Sequence, residues 1–453
     1  MGKKRFVIIG GDAAGMSAAS LAKRRQPDLE IEAYEMGDYT SYGACGMPYY
    51  VSGDVPQLDD LVVVTPEEFE HKRGIRVFMR HRAETIHPHE NRIEVRDLGT
   101  GILKEVPYDD LLIATGAEPV IPARLDMDLP GVFALRGLPD ADGIRRYIGQ
   151  HSFREAIIVG TGYIGMEMAE ALATNGLNVT VLGRRPQVLP LFEQEISEIV
   201  AQELEKRHIR LMTRAEAESA VQDRDGRLAV TLANGERLTT DLLMVGAGVR
   251  PRSRLAEEAG LALGVKKAIQ VDRTGRTSSP HIWSAGDCAE AYHALLKKNT
   301  YIPLALTANR QGRVVGNNVV GIPSEFPGIL GTTICKVFDL TVARTGLSVT
   351  EAQAEGYDVA KVVVNGRSRA HYYPGSASIT TMLIVERGNQ KLWGAQMVGA
   401  DGVAHRINTW AAALGAGLSL EQIYGLDLAY APPFSPVWDP VLVASEIAMK
   451  RVK

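Results

Sequence analysis

Apolar positions along this chain come in short continuous runs, each stopped by glycine and followed by apolar residues at helical spacing. One run starts at Arg5 and reads RFVIIGGDAAGMSAASLAKRR. A second starts at Glu155 and reads EAIIVGTGYIGMEMAEALATNG. Each predicts a buried strand, a glycine turn and a helix. Each leads into another short strand, IEAYE ending at Glu35 and NVTVLGRR ending at Arg185. The echo predicts two βαβ units, each with the shape that binds a dinucleotide.

Further runs are of the same buried type. YDDLLIATGAEP predicts a strand closing on Thr115 and Gly116, and HIWSAGDCAEA one closing on Gly286 and Asp287. A carboxylate at such a strand end is placed to hold hydroxyls. DGRLAVTLANGERL alternates around Asn234-Gly235, which predicts a hairpin turn.

The glycines carry the first chemistry. Gly160, Gly162 and Gly165 form a full G-x-G-x-x-G: one for the tight turn, one for close approach of a pyrophosphate, one for helix packing on the strand. The first unit keeps Gly10 and Gly15 but has Asp12 at the middle position. The strand ends also differ. Glu35 is placed to accept hydrogen bonds from ribose hydroxyls. The second strand ends in Gly183-Arg184-Arg185 with no acid, and arginines there suit a 2′-phosphate, pointing to NADPH over NADH.

The 453 residues correspond to about three closely packed domains. A net charge of −4 argues against a nucleic-acid partner. No stretch approaches the ~20 apolar residues of a membrane helix. Three cysteines with no paired spacing exclude a disulfide framework and a four-cysteine zinc site, and no His/Cys cluster suggests a metal. The expected setting is a reducing cytoplasm.

One cysteine stands apart. Cys45 lies in SYGACGMPYY, just after the Glu35 strand, with Pro48 suited to the first turn of a helix. A thiol at a helix N-terminus is expected to have a lowered pKa. Cys288 and Cys335 read as structural.

The order of glycine turn, ATG strand, second glycine turn, GD strand and an unrelated C-terminal segment resembles the two-dinucleotide-binding flavoprotein disulfide reductases over the whole chain. That resemblance implies an α/β fold with two Rossmann-like domains and a C-terminal α+β dimerisation domain. FAD would bind residues 1–117 and 247–325, NAD(P)H residues 118–246, and residues 326–453 would pair two chains. Gly10, Gly15, Glu35, Thr115, Gly116, Asp287 and Ala305 would hold FAD. Gly160, Gly162, Gly165, Arg184 and Arg185 would hold NADPH (or NADH), with Tyr163 as a ring that screens the flavin and swings aside for the nicotinamide.

Members like glutathione reductase use two cysteines with four residues between them; here position 50 is Tyr50. Cys45 must therefore bond to an external sulfur or become a sulfenic acid. SYGACGMPYY is similar to the S-[FY]-x-x-C-x-x-P-Y pattern of coenzyme A disulfide reductases, their persulfide-reducing relatives and NADH oxidases or peroxidases. The oxidase branch carries a histidine in the first glycine turn; the matching residue here is Ala13, which favours a thiol substrate. RAHYYPGS and LAYAPPFSPVWDP resemble the segments that bring two partner-subunit tyrosines to the active cysteine, the match falling on Tyr372 and Tyr430. The resemblance places Ser17, Arg24, Ser41, Arg73 and Asn309 near coenzyme A, whose negative charges need cations such as the Lys23-Arg24-Arg25 cluster. Relatives carry a lysine where this chain has Trp438 and an asparagine where it has Ala44, so the grip on coenzyme A is expected to differ. The expected enzyme is a homodimer whose active site is shared between subunits, turning over through a Cys45–coenzyme A mixed disulfide. The alternatives are an NADH oxidase or peroxidase working through a Cys45 sulfenic acid and a non-catalytic flavin redox sensor.

Overall fold

Each βαβ unit builds a parallel sheet, because a strand buried on both faces needs a helix to cross back over it. The computed structural model describes residues 3–150 and 153–452. In the first unit the central strand Arg5–Ile9 pairs in parallel with Glu30–Glu35 on one side and Asp110–Ile113 on the other. Ile282–Ser284 adds beyond Asp110–Ile113, and Arg76–Met79 closes the opposite edge. This five-stranded sheet therefore recruits a strand from far along the chain.

The second unit repeats the plan. Glu155–Val159 lies between Asn178–Gly183 and Leu242–Val245, with Arg210–Thr213 and Val132–Ala134 at the edges. Its second strand ends at Gly183, so Arg184 and Arg185 stand beyond the sheet. Ala217–Gln222, Leu228–Leu232 and Arg237–Thr240 form the expected meander, turning at Gly235 with φ +85°.

The C-terminal part is an antiparallel five-stranded sheet, Thr333–Val337 through Leu392–Gly399, backed by the helices Val403–Ala416 and Pro440–Arg451. Arg406 is fully buried there, its guanidinium 2.8 Å from the Asp439 carboxylate and 2.9 Å from the Ser368 carbonyl. The sheet is braced against the second unit. Glu170 accepts from Lys336 and from the Phe338 N–H, and the Gln396 side-chain carbonyl accepts from the Glu193 N–H at 2.8 Å. The architecture is the expected one, two Rossmann-like domains and a C-terminal α+β domain.

The helix after the first glycine turn, Ala13–Arg25, packs against Ala305–Val319 at backbone distance. A Cβ added to Gly312 would lie 2.2 Å from the Ala14 carbonyl oxygen, and one added to Gly316 would lie 2.6 Å from that of Ala18. Gly312→Ala must push the helices apart, a strain of about 1–3 kcal/mol that outweighs alanine's helix propensity of about 1 kcal/mol. Urea unfolding should show a net loss of stability; an unchanged or raised midpoint would contradict this packing.

Candidate active site

Two glycine turns build two nucleotide cradles of the same geometry. Gly10 has φ +109°, and a Cβ on it would lie 2.1 Å from the Ala114 carbonyl oxygen. Gly160 has φ +129°, with the Gly246 carbonyl oxygen at the same 2.1 Å. A Cβ on Gly15 would strike the Gly10 carbonyl and one on Gly165 the Gly160 carbonyl. Gly162 faces open space, as the residue a pyrophosphate approaches must.

In the first cradle both Glu35 oxygens are fixed by backbone donors, the Gly11 N–H at 2.8 Å and the Gly37 N–H at 2.7 Å. Each keeps a lone pair for a ribose hydroxyl. The Thr115 hydroxyl donates to the Arg252 carbonyl at 2.6 Å, which ties the ATG segment to the returning chain beside Gly116. Gly286 donates its N–H to the Gln311 side chain at 2.9 Å, and Asp287 follows it into the interior. Burial pushes the Asp287 carboxyl up to about 6. Asp12 also rises to about 6, through burial, against the Tyr42 N–H that it accepts and with added repulsion from Glu35. Ala305 opens a long helix whose N-terminus no side chain caps among the described residues. Buried carboxylates without a cation, free helix N–H groups and backbone-tight glycines fit FAD, whose ribityl and ribose hydroxyls donate and whose pyrophosphate accepts.

Cys45 lies between the cradles, in a single 3₁₀ turn, Ala44–Gly46, that runs into the short helix Met47–Ser52 with Pro48 in its first turn. The loop is pinned from behind. The Gly43 N–H donates to the Leu61 carbonyl at 2.8 Å, and a Cβ on Gly46 would strike the Leu61 side chain. Met47, Tyr50 and Val51 sink into the core of the second unit. The Ser41 N–H donates to the Gly11 carbonyl, with Ser41 itself at φ +48°, so the same loop is anchored to the first turn.

The thiol is exposed within this cleft, whereas Cys288 and Cys335 are buried, and burial pushes the Cys335 thiol up to about 12. Cys45 does not have the lowered pKa expected of a helix N-terminus. Partial desolvation, then the charges of Glu167, Asp287 and Asp12, push it up. A three-residue turn and a six-residue helix offer little dipole, and the carboxylates oppose it.

Glu167 was not among the sequence candidates. It lies one turn after Tyr163 on the helix Tyr163–Thr174, a spacing that would have put it on the same face. Burial pushes it up to about 7, against a hydrogen bond with Tyr49. Tyr163 packs its ring edge-on to Phe192 and shares a hydroxyl hydrogen bond with Thr333 of the C-terminal sheet.

The remaining candidates separate into groups. The Ser17 hydroxyl donates to the Asn309 side-chain Oδ1 at 2.5 Å, and Arg73 donates to the Ser20 hydroxyl at 2.9 Å, so Ser17, Arg73 and Asn309 share one helix surface, with Arg24 exposed at its end. Tyr372 lies beside Tyr430 and pushes its pKa up. Both are exposed, and within one chain neither is among the groups acting on Cys45. Arg184 stands 3.6 Å from Glu216 at the end of the second cradle.

The pattern of the family described as pyridine nucleotide-disulphide oxidoreductase matches residues 4–312, and that of its dimerisation domain residues 332–440. An NAD(P)H sulfur oxidoreductase (CoA-dependent) of Pyrococcus furiosus is 40% identical over 99% of both chains. A coenzyme A disulfide reductase of Staphylococcus haemolyticus is 31% identical over 95% of this chain and 96% of that one. The solved structure of an NAD-dependent persulfide reductase from A. fulgidus superposes with a TM-score of 0.95 at 37% identity, covering 99% of this chain and 83% of that chain. Relatives named NADH oxidase match as well.

Two outcomes follow from the charges. Glu167→Gln removes a negative charge beside the thiol, so alkylation of Cys45 at pH 8, followed by peptide mass, should speed up a few-fold; an unchanged rate would remove Glu167 from the thiol's surroundings. Asp287 is raised on folding, so its contribution favours the fold below its ordinary value and is lost as pH rises through about 6. In FAD-free protein, Asp287→Asn should therefore match wild type at pH 4 and gain at most about 3 kcal/mol at pH 8. A gain at pH 4 alone would reverse the assignment.

Proposed function

The chain belongs to the pyridine nucleotide-disulphide oxidoreductase family, and on that premise we propose that it uses NAD(P)H to reduce coenzyme A disulfide, or the persulfide of coenzyme A, through the single thiol of Cys45. The observation that carries this reading is the isolation of that thiol. Of the three cysteines it alone is exposed, and the position where a second redox cysteine would stand is the buried Tyr50. No internal dithiol can form, so the sulfur that Cys45 bonds must arrive from outside.

Bound FAD supplies the two-electron relay between a nicotinamide hydride and a disulfide. The chain's own part is positional. Residues 1–117 with 247–325 form the proposed FAD domain, residues 118–246 the NAD(P)H domain, and residues 326–453 the pairing domain. Gly10, Gly15, Glu35, Thr115, Gly116, Asp287 and Ala305 hold FAD, and Gly160, Gly162 and Gly165 hold the nicotinamide cofactor's pyrophosphate, with Tyr163 as the ring that yields to its nicotinamide. Cys45 attacks one sulfur of the substrate disulfide. One coenzyme A leaves as thiolate and takes a proton, and a Cys45–coenzyme A mixed disulfide remains. Two electrons and a proton return that bond to two thiol-level sulfurs and release the second coenzyme A.

Ser17, Arg24, Ser41, Arg73 and Asn309 are proposed to hold coenzyme A. Tyr372 and Tyr430 are proposed to act from the partner chain of a homodimer, donating to the departing thiolate. Their exposure together with Phe434 and Trp438 supports a face that a second copy covers. Ala13 opens the helix after the first turn where a peroxide-directed residue would be needed, which sets this reading ahead of an oxidase. A reducing cytoplasm suits a free thiol, and among the described residues no helix is long and apolar enough to cross a membrane.

Cys45→Ser should abolish reduction of coenzyme A disulfide while FAD stays bound by its absorbance; retained turnover sinks the mechanism. Oxygen uptake by the wild type should be slow beside disulfide turnover, and the opposite ratio would favour the oxidase. Tyr430→Phe should slow disulfide turnover about 100-fold with flavin reduction intact, the range expected for loss of a proton donor. Turnover at the wild-type rate would exclude the phenol from catalysis.

A further inference from the structure

The two cradles differ by a reciprocal exchange of side chains. In the first, Gly11 follows the turn glycine and Glu35 ends the neighbouring strand; a Cβ on Gly11 would lie 2.9 Å from the Glu35 Cβ. In the second, Thr161 and Gly183 occupy the same two places, since Ile9 pairs with Tyr34 as Val159 pairs with Leu182. A Cβ on Gly183 would lie 2.6 Å from Thr161 Cγ2. The two places cannot both carry side chains. With the buried Thr161 in the turn, no carboxylate can stand at position 183 to accept from a free ribose 2′-hydroxyl.

A cavity of about 160 Å³ opens just past that point, lined by Arg184, Arg214, Glu216 and Asn234 among others. Arg185 does not line it. Arg214 comes from the connection after Arg210–Thr213, and this loop is stitched to the strand end. The Arg214 N–H donates to the Arg185 carbonyl at 3.2 Å, and the Ala215 N–H donates to the Gly183 carbonyl at 2.9 Å. Arg214 itself is held at φ +55°. Arg184 faces Glu216 at 3.6 Å. Two guanidinium groups and one carboxylate leave the cavity with a surplus positive charge, which suits a phosphate monoester and not an uncharged hydroxyl.

We propose that this cavity takes the 2′-phosphate of NADPH, with Arg214 as a specificity-determining residue beside Arg184 and Glu216 as the counterion that the phosphate displaces. The proposal rests on the nicotinamide cofactor of the preceding reading but not on its sulfur substrate. The FAD-loaded dimer should be titrated calorimetrically with adenosine 2′,5′-bisphosphate and with 5′-ADP, and its flavin reduction compared with NADPH and NADH. Arg214→Gln should weaken adenosine 2′,5′-bisphosphate about 10-fold or more and lower the NADPH-to-NADH preference alongside. Glu216→Gln should tighten the bisphosphate. A bisphosphate affinity unmoved by Arg214→Gln would overturn the assignment, as would a loss of NADH affinity in Glu216→Gln, because Glu216 would then be reading a ribose hydroxyl. Failure of the coenzyme A reading would appear as absent disulfide turnover with these titrations intact.

Discussion

Backbone set directly against backbone is the constraint on which this structure depends. At each glycine turn the chain passes so close to the neighbouring strand's carbonyl, and the following helix so close to the turn, that no Cβ fits. The same near-contacts recur at Gly10 and Gly160 and at Gly15 and Gly165. A third close approach, at Gly312 and Gly316, locks the helix after the first turn to the long helix Ala305–Val319. These approaches hold the helix N-termini at the strand ends, and so fix where a pyrophosphate can sit and where Cys45 must lie relative to both cradles.

Around Cys45 the electrostatics run against a thiolate. Carboxylates from three separate segments, at Asp12, Glu167 and Asp287, surround a partly desolvated sulfur. A neutral thiol and a disulfide carry no charge, so this acidic cleft penalises the thiolate form of Cys45 and spares the other two. Leaving thiolates face the same penalty, and an outside proton donor lowers it. That is the role proposed for Tyr372 and Tyr430, which lie exposed at the surface of one chain.

Much of this was legible in the sequence because it is local. The glycine spacing, the Glu35 strand end, Pro48 in a first turn and the Asn234-Gly235 hairpin all depend on residues a few positions apart, and all formed as their spacing implied. What stays hidden in the sequence is long-range. The helix beside Cys45 implies a lowered thiol pKa, while the desolvation and charges that oppose it come from the packed fold, the charges from residues 12, 167 and 287. Spacing alone puts Glu167 on the Tyr163 face of its helix, but its bearing on the thiol arises only where that helix packs on the Cys45 loop. Arg214 is separated from Arg184 by a whole βα crossover, so nothing local in the sequence joins it to the cavity that both line.

The central claim is that one thiol per subunit cycles through a covalent bond to coenzyme A. The most direct test is the intact mass of protein purified without reductant, taken before and after anaerobic addition of NADPH, with released thiols identified by chromatography. The account predicts a coenzyme A adduct on Cys45 that disappears on reduction, with one coenzyme A freed per subunit. An oxygen adduct on Cys45, or a reduction that frees no coenzyme A, would contradict it.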